Sequence, residues 1–266
     1  MRALLFTYRR LIAASWALAI EYRAQGLLWI LSFFFPLIMM AVWLAVVREA
    51  GPVAGWDAPD FVSYYIAAAV VDHLTWAGIL WDWDNDIRTG DLSTRLIKPM
   101  DPLHHYISSL FGWKIFILLV LVPPVALAAW LLPAISYPLT LARLAVFALA
   151  VILGFAMSIA MSVAFAMIAF WSTQTRNLYS LWLGVGQFFS GWIVPLALFP
   201  PALRAVATWL PFRAILGLPV EILMGRLTPA ETAQGFAVSL AWLAFFLLTY
   251  RALWTRGLRR YEAVGG

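Results

Sequence analysis

A chain of 266 residues that is 64% hydrophobic and only 12% charged, with a mean hydropathy of +0.87, is far more apolar than a water-soluble domain. This composition excludes most soluble enzymes and binding modules. The net charge of +5 is informative mainly through the positions of the Lys and Arg residues, which predict the side of the membrane on which each loop lies. The chain has no cysteine, which excludes disulfides and thiolate metal sites.

The first 22 residues predict an amphipathic helix that lies along the cytoplasmic surface of the membrane. On a helical wheel the apolar residues share one arc, and the opposite arc holds Arg2, Arg9, Arg10 and Glu21. Such a helix places its apolar face among acyl chains and its arginines near anionic phosphates. A signal peptide is the alternative, since a basic start precedes an apolar stretch that contains Ala17-Leu18-Ala19.

Six apolar runs follow, and each is long enough to cross a bilayer as a helix. About 20 residues at roughly 1.5 Å per residue span a hydrocarbon core of about 30 Å. None of the runs shows the alternation of barrel strands, so the predicted fold class is all-α and polytopic, with one membrane domain over 23–256 and a tail at 257–266. The predicted spans are 24–47, 61–81, 115–134, 144–171, 178–199 and 233–250.

The Lys and Arg residues predict that both termini are cytoplasmic, because loops rich in these residues stay on that side. With the N-terminus inside, thirteen of the eighteen basic residues are cytoplasmic, and the first outer loop is acidic through Glu49, Asp57 and Asp60. The outer side then holds Arg48, Arg143, Arg204, Arg213 and Arg226.

Two polar residues, Asp72 and His73, interrupt the second predicted span. A charge at a helix centre costs roughly 2.5–3.5 kcal/mol on insertion scales, so both are expected to face protein or water. One hypothesis makes Asp72 part of a cation or proton path, with His73, Phe33 and Gln187 as further candidates for the translocation path. In the other, Asp72 is neutral, or bonded to Thr75 or a neighbouring helix.

The loop from Trp81 to Tyr106, between the second and third predicted spans, is the most specific stretch of the chain. After a turn at Thr89-Gly90, Asp91 can cap a short helix, and it lies four residues before Arg95. Pro99 ends this helix. Its apolar side is predicted to consist of Leu92, Leu96 and Ile97. The pattern predicts an amphipathic helix that enters a groove of a soluble partner, the alternative being a surface turn.

Small residues and helix breakers distinguish the later spans. Gly154, Ser158 and Ser162 recur every four residues and predict close helix packing. Region 198–228 is apolar but interrupted by prolines and glycines, which favours short re-entrant helices on the outer side between spans five and six. An ordinary outer loop is the alternative. The interrupting residues are Pro200, Pro201, Pro211, Gly217, Pro219 and Gly225.

The loop from Trp81 to Tyr106 resembles the coupling segment in permease subunits of type 2 ATP-binding-cassette (ABC) exporters, where the motif I-x-x-G-x-L-x-x-x-L-x-x-P recurs. The matching residues are Ile87, Gly90, Leu92, Leu96 and Pro99. A second resemblance to the same family lies in 188–223. Its matching residues are Ser190-Gly191, Pro195, Phe199-Pro200, Leu210-Pro211-Phe212 and Pro219. With the six-span layout and the leading interfacial helix, the likeness covers nearly the whole chain.

The resemblance implies a multi-pass permease of the bacterial cytoplasmic (inner) membrane, driven by two copies of an ABC ATPase. It implies a second permease subunit, often a different protein and otherwise a second copy, and contact with membrane lipids but not with nucleic acid. The implied ATPase contacts lie at about 87–99, through Ile87, Gly90, Asp91, Leu92, Arg95, Leu96, Ile97 and Pro99. The sequence lacks G-x-x-x-x-G-K-[ST], so ATP and Mg are expected to be used by the partner, and this chain is expected to have no catalytic residue, metal or cofactor of its own.

Two rival functions come from other classes. A proton-coupled secondary transporter could use Asp72, although such proteins often have internal repeats, which this sequence does not show. A membrane-embedded enzyme could use Asp72, His73, His104 and His105. Adjacent histidines diverge by about 100° on a helix, and no H-E-x-x-H is present, so the enzyme has less support. Drug, peptide, lipid and glycan cargo all remain open.

Overall fold

The computed structural model describes residues 2–21, 34–131, 135 and 137–261. Within these ranges the chain forms helices and no β-strand, so the all-α prediction is confirmed for them. The helices are α1 (Arg2–Glu21), α2 (Phe34–Ala50), α3 (Ala58–Thr75), α4 (Ile79–Thr89), α5 (Leu92–Leu96), α6 (Pro102–Leu131), α7 (Leu141–Ala166), α8 (Thr175–Phe189), α9 (Pro201–Trp209), α10 (Gly217–Leu223) and α11 (Pro229–Leu258). Short 3-10 turns lie at Met167–Phe170, Leu196–Leu198 and Pro211–Ala214.

Three segments in the described ranges are long and apolar enough to cross a membrane, namely Pro102–Pro123, Leu141–Phe170 and Pro229–Leu258. They lie in α6, in α7 with the turn after it, and in α11. This supports a polytopic membrane protein, while the six-span layout stays a prediction. Parts of the first and third predicted spans, 24–33 and 132–134, lie outside the described residues.

Two helices start at capping boxes that the sequence specifies locally. At α3, Asp60 N donates to Asp57 Oδ1 (3.1 Å), and Asp57 N donates to Asp60 Oδ2 (3.2 Å). At α11, Glu231 N donates to Thr228 Oγ1 (3.2 Å), and Thr228 N donates to Glu231 Oε2 (2.8 Å). Each box satisfies amide donors that the first helical turn leaves without partners.

The structure divides the second predicted span, 61–81, into two helices. α3 ends at Thr75, Trp76 is extended, and α4 begins at Ile79. Lys114 of α6 stabilises the break, because its Nζ donates to the carbonyls of His73 (2.9 Å) and Trp76 (2.8 Å). A cation at a helix C-terminus is also favoured by the helix dipole. A lysine distant in sequence therefore bonds to the chain where α3 ends.

Helix α7 lies at the centre of the packing, against α3, α4, α10 and α11. A Cβ on Gly154 would lie 2.6 Å from the Ala214 carbonyl oxygen, so no side chain fits there. Ser162 is buried, and its Oγ accepts a 2.8 Å hydrogen bond from Leu80 N in the first turn of α4. Ser158 is buried between these two positions in sequence. The three small residues thus lie on a buried side of α7.

Region 198–228 forms two short helices and a 3-10 turn, and α10 packs against α3 and α7. Every residue of α10 from Gly217 to Ile222 is buried. Tyr64 OH donates to Gly191 O (2.6 Å), and Tyr65 OH donates to Ile193 O (2.7 Å), which fixes the turn after α8 to α3. The part of the region from 211 to 222 is therefore held against protein, whereas residues 201–206 of α9 are exposed, and the depth of the region in a bilayer stays a prediction.

Apolar faces of α2, α8 and α11 are not covered by other residues in the described part of the chain. On α2 the exposed residues recur along one face, at Phe34, Ile38, Val42 and Val46. Helices α8 and α11 also expose large apolar residues, at Leu178, Leu181, Val185, Phe188, Leu240, Phe245, Leu247 and Leu248. Apolar surface of this extent is normal for a chain surrounded by lipid or by a second subunit.

Candidate coupling site

The corner made by α4 and α5 contains the segment predicted to contact an ATPase. Gly90 ends α4 with φ +83°, a left-handed conformation that glycine adopts without steric cost. The chain then turns into α5, which has only five residues. The predicted helix at about 87–99 is thus the end of α4, a turn and a shorter helix.

The apolar residues of α5 divide into an anchor and an exposed pair. Leu92 is fully buried in the same cluster as Ile87, Trp83 and Tyr106. Leu96 and Ile97 are exposed, and Ile97 has 85% of its surface accessible. The sequence interpretation placed all three on one side, and the structure differs because Leu92 packs inward beneath the corner. Lys98 and Pro99 are exposed beside the pair.

Asp91 does not act as predicted. It precedes α5 with φ −64° and ψ −21°, and its side chain makes no capping hydrogen bond. Capping side chains need an extended backbone at this position, which Asp91 lacks. Its Oδ2 instead accepts a 2.7 Å hydrogen bond from Thr89 Oγ1. The predicted ion pair with Arg95 is also replaced, since Arg95 bonds to Asp86.

Asp86 connects three helices at this corner. Its Oδ2 accepts hydrogen bonds from Arg95 Nε on α5 and from Tyr106 OH on α6, the latter at 2.6 Å. The Arg95 guanidinium lies 5.1 Å from the centre of the Tyr106 ring, and Trp83 stacks on that ring at 4.6 Å. These contacts hold α5 in one orientation relative to α4 and α6.

Asp84 connects the same corner to α8. Its carboxylate is fully buried, and Oδ2 accepts from Arg88 Nε (3.0 Å) and from Arg176 Nε (2.6 Å). Arg176 lies in the first turn of α8, and its Nη2 also donates to Trp81 O (3.3 Å). Arg88 donates in addition to the carbonyl of Thr173, just before α8. Charged hydrogen bonds therefore hold α4 against α8.

Sequence reasoning missed Asp84, Asp86, Tyr106 and Arg176. One signal was available, since Asp84 and Arg88 have the i, i+4 spacing of a helical ion pair. The hydrogen bonds of Arg176 to Asp84 and of Tyr106 to Asp86 join residues distant in sequence, which no local pattern predicts.

A family model for ABC-2 family transporter proteins matches residues 30–265. The chain belongs to this family. The resemblance seen in the coupling loop and in 188–223 is confirmed, and the match covers α2 to α11. No curated protein matches the chain. The chain is thus a membrane-embedded permease subunit of an ABC transporter, a type of subunit that in general is non-catalytic and associates with an ABC ATPase.

The three described candidate path residues of this ABC-2 permease lie on two helices. Asp72 and His73 are half-buried in the last turn of α3, where His73 Nδ1 lies 3.0 Å from Ala69 O. Gln187 is exposed in the last turn of α8, near the turn that Tyr64 binds. Eight residues, or about 12 Å of helix, separate Tyr64 from Asp72. Phe33 lies outside the described residues.

In the permease, Asp72 lies near two basic side chains. The basic side chains that act on its carboxyl group are those of His73 and Lys114. Thr75 does not bond to that carboxylate, because its Oγ1 donates to the backbone carbonyls of Val71 (2.9 Å) and Asp72 (3.4 Å). Among the described residues, no cluster of three His, Asp or Glu side chains is suited to holding a metal ion.

Proposed function

We propose that this permease forms half of the transmembrane pathway of an ATP-driven exporter in the bacterial inner membrane. In the proposal it crosses the membrane six times with both termini cytoplasmic. Two ABC ATPase subunits bind beneath it and use ATP and Mg, and a second, different permease completes the pathway. A homodimer is the alternative arrangement of the permease pair.

The exposure of Leu96 and Ile97 carries this proposal. Two neighbouring apolar side chains project from a short helix whose other side is fixed by Leu92 and by the Arg95–Asp86 pair. An amphipathic helix of this kind binds a partner by placing its apolar side chains in a groove. Because α5 is held to α4 and α6, a partner that moves Ile97 also moves the longer helices.

The proposed mechanism transfers movement from the ATPase to the permease. ATP closes the ATPase dimer, and α5 follows the groove in which it is bound. The Asp86 contacts carry the displacement to α6, and the Asp84 contacts carry it to α8. ATP drives this change only if the ATP-bound dimer has different affinities for the two arrangements of the permease, since equal affinity shifts no equilibrium.

Co-purification tests the composition of the complex. We would purify the tagged chain in mild detergent from its native host, overexpressing nothing else, and identify its partners by mass. A stoichiometric ATPase and a second permease are expected. An active chain with no ATPase in any amount would contradict the proposal and favour proton-coupled transport through Asp72.

A pair of variants tests the role of Ile97. Ile97→Asp places a charge on the exposed apolar pair, and we expect at least a tenfold loss of co-purified ATPase without loss of the permease from the membrane. Thr255→Asp is the matched control, because Thr255 is exposed on α11 and the change adds the same charge elsewhere. Equal ATPase recovery from both variants would show that α5 is not the contact. Leu92 is unsuitable for this test because its burial makes a charge there unfold the corner.

A further inference from the structure

A cavity of about 430 Å³ lies between α4 and α6, close to the corner made by α4 and α5. On α4 it is lined by residues 81, 82, 85 and 86, and on α6 by residues 105, 106, 109 and 113. Both sets have helical spacing, so two helix faces form the walls of a groove. Arg95 of α5 and Arg176 of α8 complete the lining. The volume lies within the roughly 300–1,000 Å³ of ligand clefts.

The charged groups of the groove balance in number. Two carboxylates, Asp82 and Asp86, stand against two guanidinium groups, Arg95 and Arg176. Asp86 is already bonded to Arg95 and Tyr106. Among the contacts found in the described part of the chain, the Asp82 carboxylate accepts no hydrogen bond. A ligand with one charge of either sign meets an opposing like charge, whereas a zwitterion satisfies both poles.

Both guanidinium groups retain donors. Each has five N–H groups, of which the contacts described above use one in Arg95 and two in Arg176. Guanidinium donors bind phosphate oxygens strongly and with defined geometry. Asp82, with the amide oxygen of Asn85 and the hydroxyl of Ser109, supplies acceptors for a primary ammonium group.

One end of the groove is aromatic and adjoins the N-terminal helix. Trp81 and Trp113 line the cavity there, on the turns of α4 and α6 that are farther along each helix from α5, and the Arg176 guanidinium lies 5.9 Å from the centre of the Trp81 ring. Trp113 continues into an aromatic cluster, because its ring lies 6.2 Å from Phe116, which lies 6.4 Å from Trp16 of α1. Tryptophan concentrates at the level of lipid headgroups, and α1 has the pattern of an interfacial helix. The groove therefore places a guanidinium group beside an aromatic wall that adjoins the N-terminal helix.

We propose that this groove binds the headgroup of a zwitterionic phospholipid that carries a primary amine. The ammonium group bonds to Asp82 and its neighbouring oxygens, the phosphate bonds to Arg176 and Arg95, and the acyl chains leave past Trp113. The inference rests on the proposed function only for the leaflet, which is the cytoplasmic one if α1 lies there. Binding measured in detergent does not depend on orientation or on an ATPase, so failure of either idea is distinguishable from failure of the other.

The test measures binding of three phospholipids with identical oleoyl chains to the full-length chain by native mass spectrometry. Phosphatidylethanolamine is expected to bind at least tenfold more tightly than phosphatidylglycerol, which lacks the amine. It should also bind more tightly than phosphatidylcholine, whose quaternary ammonium has no N–H donor. Equal binding of all three lipids, or preference for phosphatidylglycerol, would overturn the proposal.

Variants locate the site. Asp82→Asn should reduce phosphatidylethanolamine binding to the phosphatidylglycerol level, and Asp82→Glu should retain the preference. Glu49→Gln is the matched control, since Glu49 is exposed on α2 and the change removes the same charge. Ser109→Trp fills the groove without changing its charge and should weaken binding of the phosphatidylethanolamine headgroup. A preference unchanged in Asp82→Asn or in Ser109→Trp would show that the lipid binds elsewhere.

Discussion

Arg176 donates a 2.6 Å hydrogen bond from Nε to the fully buried carboxylate of Asp84, which lies 92 residues earlier in the chain. Asp84 Oδ1 has no partner within the described residues, so the carboxylate depends on the bonds that reach Oδ2 from Arg176 and Arg88. A buried charge that loses a partner pays its desolvation cost without compensation. The pair of Asp84 and Arg176 therefore connects α4 to α8, and the stability of this corner depends on it.

We expect Arg176→Gln to lower the stability of the permease by about 1–3 kcal/mol, since Arg88 still binds Asp84. Adding Asp84→Asn should restore part of this loss, because the neutral side chain needs less compensation. Thermal unfolding in detergent, followed by tryptophan fluorescence, measures both variants. Arg256→Gln, at an exposed position of α11, is the control. A double variant less stable than Arg176→Gln alone would contradict this account.

Helix α7 offers a test of close packing that uses two glycines. Gly154→Ala places a Cβ 2.6 Å from the Ala214 carbonyl oxygen and 3.1 Å from Thr75 Cγ2. We expect a loss of about 1–3 kcal/mol, since the backbone of the adjacent turn must shift. Gly184→Ala on α8 is the matched control, because nothing lies within 4 Å of the added carbon. It should be neutral or stabilising by up to about 1 kcal/mol. Similar melting temperatures for the two variants would show that α7 is loosely packed.

The sequence predicted what depends on local pattern. Its periodicity and its breakers identified an all-helical chain, a turn at Gly90 followed by a short helix, and interrupted helices in 198–228. The coupling phrase and the prolines of 188–223 identified the family. These signals are local because left-handed glycine, proline and apolar spacing act through neighbouring residues.

Partners distant in sequence explain what could not be predicted. Arg95 had Asp91 at ideal helical spacing, yet it bonds to Asp86, because the turn at Gly90 folds α5 back against α4. The apolar sequence continues through Trp76, so hydropathy does not predict the break there, and the carbonyl of Trp76 bonds to Lys114, which lies 38 residues later. The groove between α4 and α6 likewise requires knowledge of which helices pack side by side.

The ion pair of Asp60 and Arg226 predicts a pH-dependent stability of the fold. Burial raises the pKa of Asp60, but hydrogen bonds from Arg226 and from the Asp57 backbone outweigh it and hold that pKa below its usual value. A carboxyl group with a lowered pKa in the folded state stabilises the fold above its unfolded pKa of about 3.9. That contribution is lost as the pH falls through the folded pKa.

Arg226→Gln should therefore lower the melting temperature at pH 7, and the difference from the unsubstituted chain should shrink below about pH 4. A part of the difference should persist in acid, because the Arg226 guanidinium also lies 4.7 Å from the centre of the Trp56 ring. Arg48→Gln, an exposed change on α2, is the control for charge alone. A difference that grows as the pH falls would refute the assignment.

Lys114 and Asp72 separate a structural role from ion coupling at the break between α3 and α4. Lys114→Met removes the charged donor to the His73 and Trp76 carbonyls, and the loss of a hydrogen bond to a charged group costs about 1.5–3 kcal/mol. We expect a lower melting temperature and less folded protein in the membrane. Asp72→Asn keeps the shape of the side chain and removes its ability to bind or release a proton. If ATP drives transport, export by the assembled complex in vesicles should be unchanged in Asp72→Asn and insensitive to a collapsed proton gradient. Loss of transport in that variant with an unchanged melting temperature would instead identify Asp72 as part of a proton path.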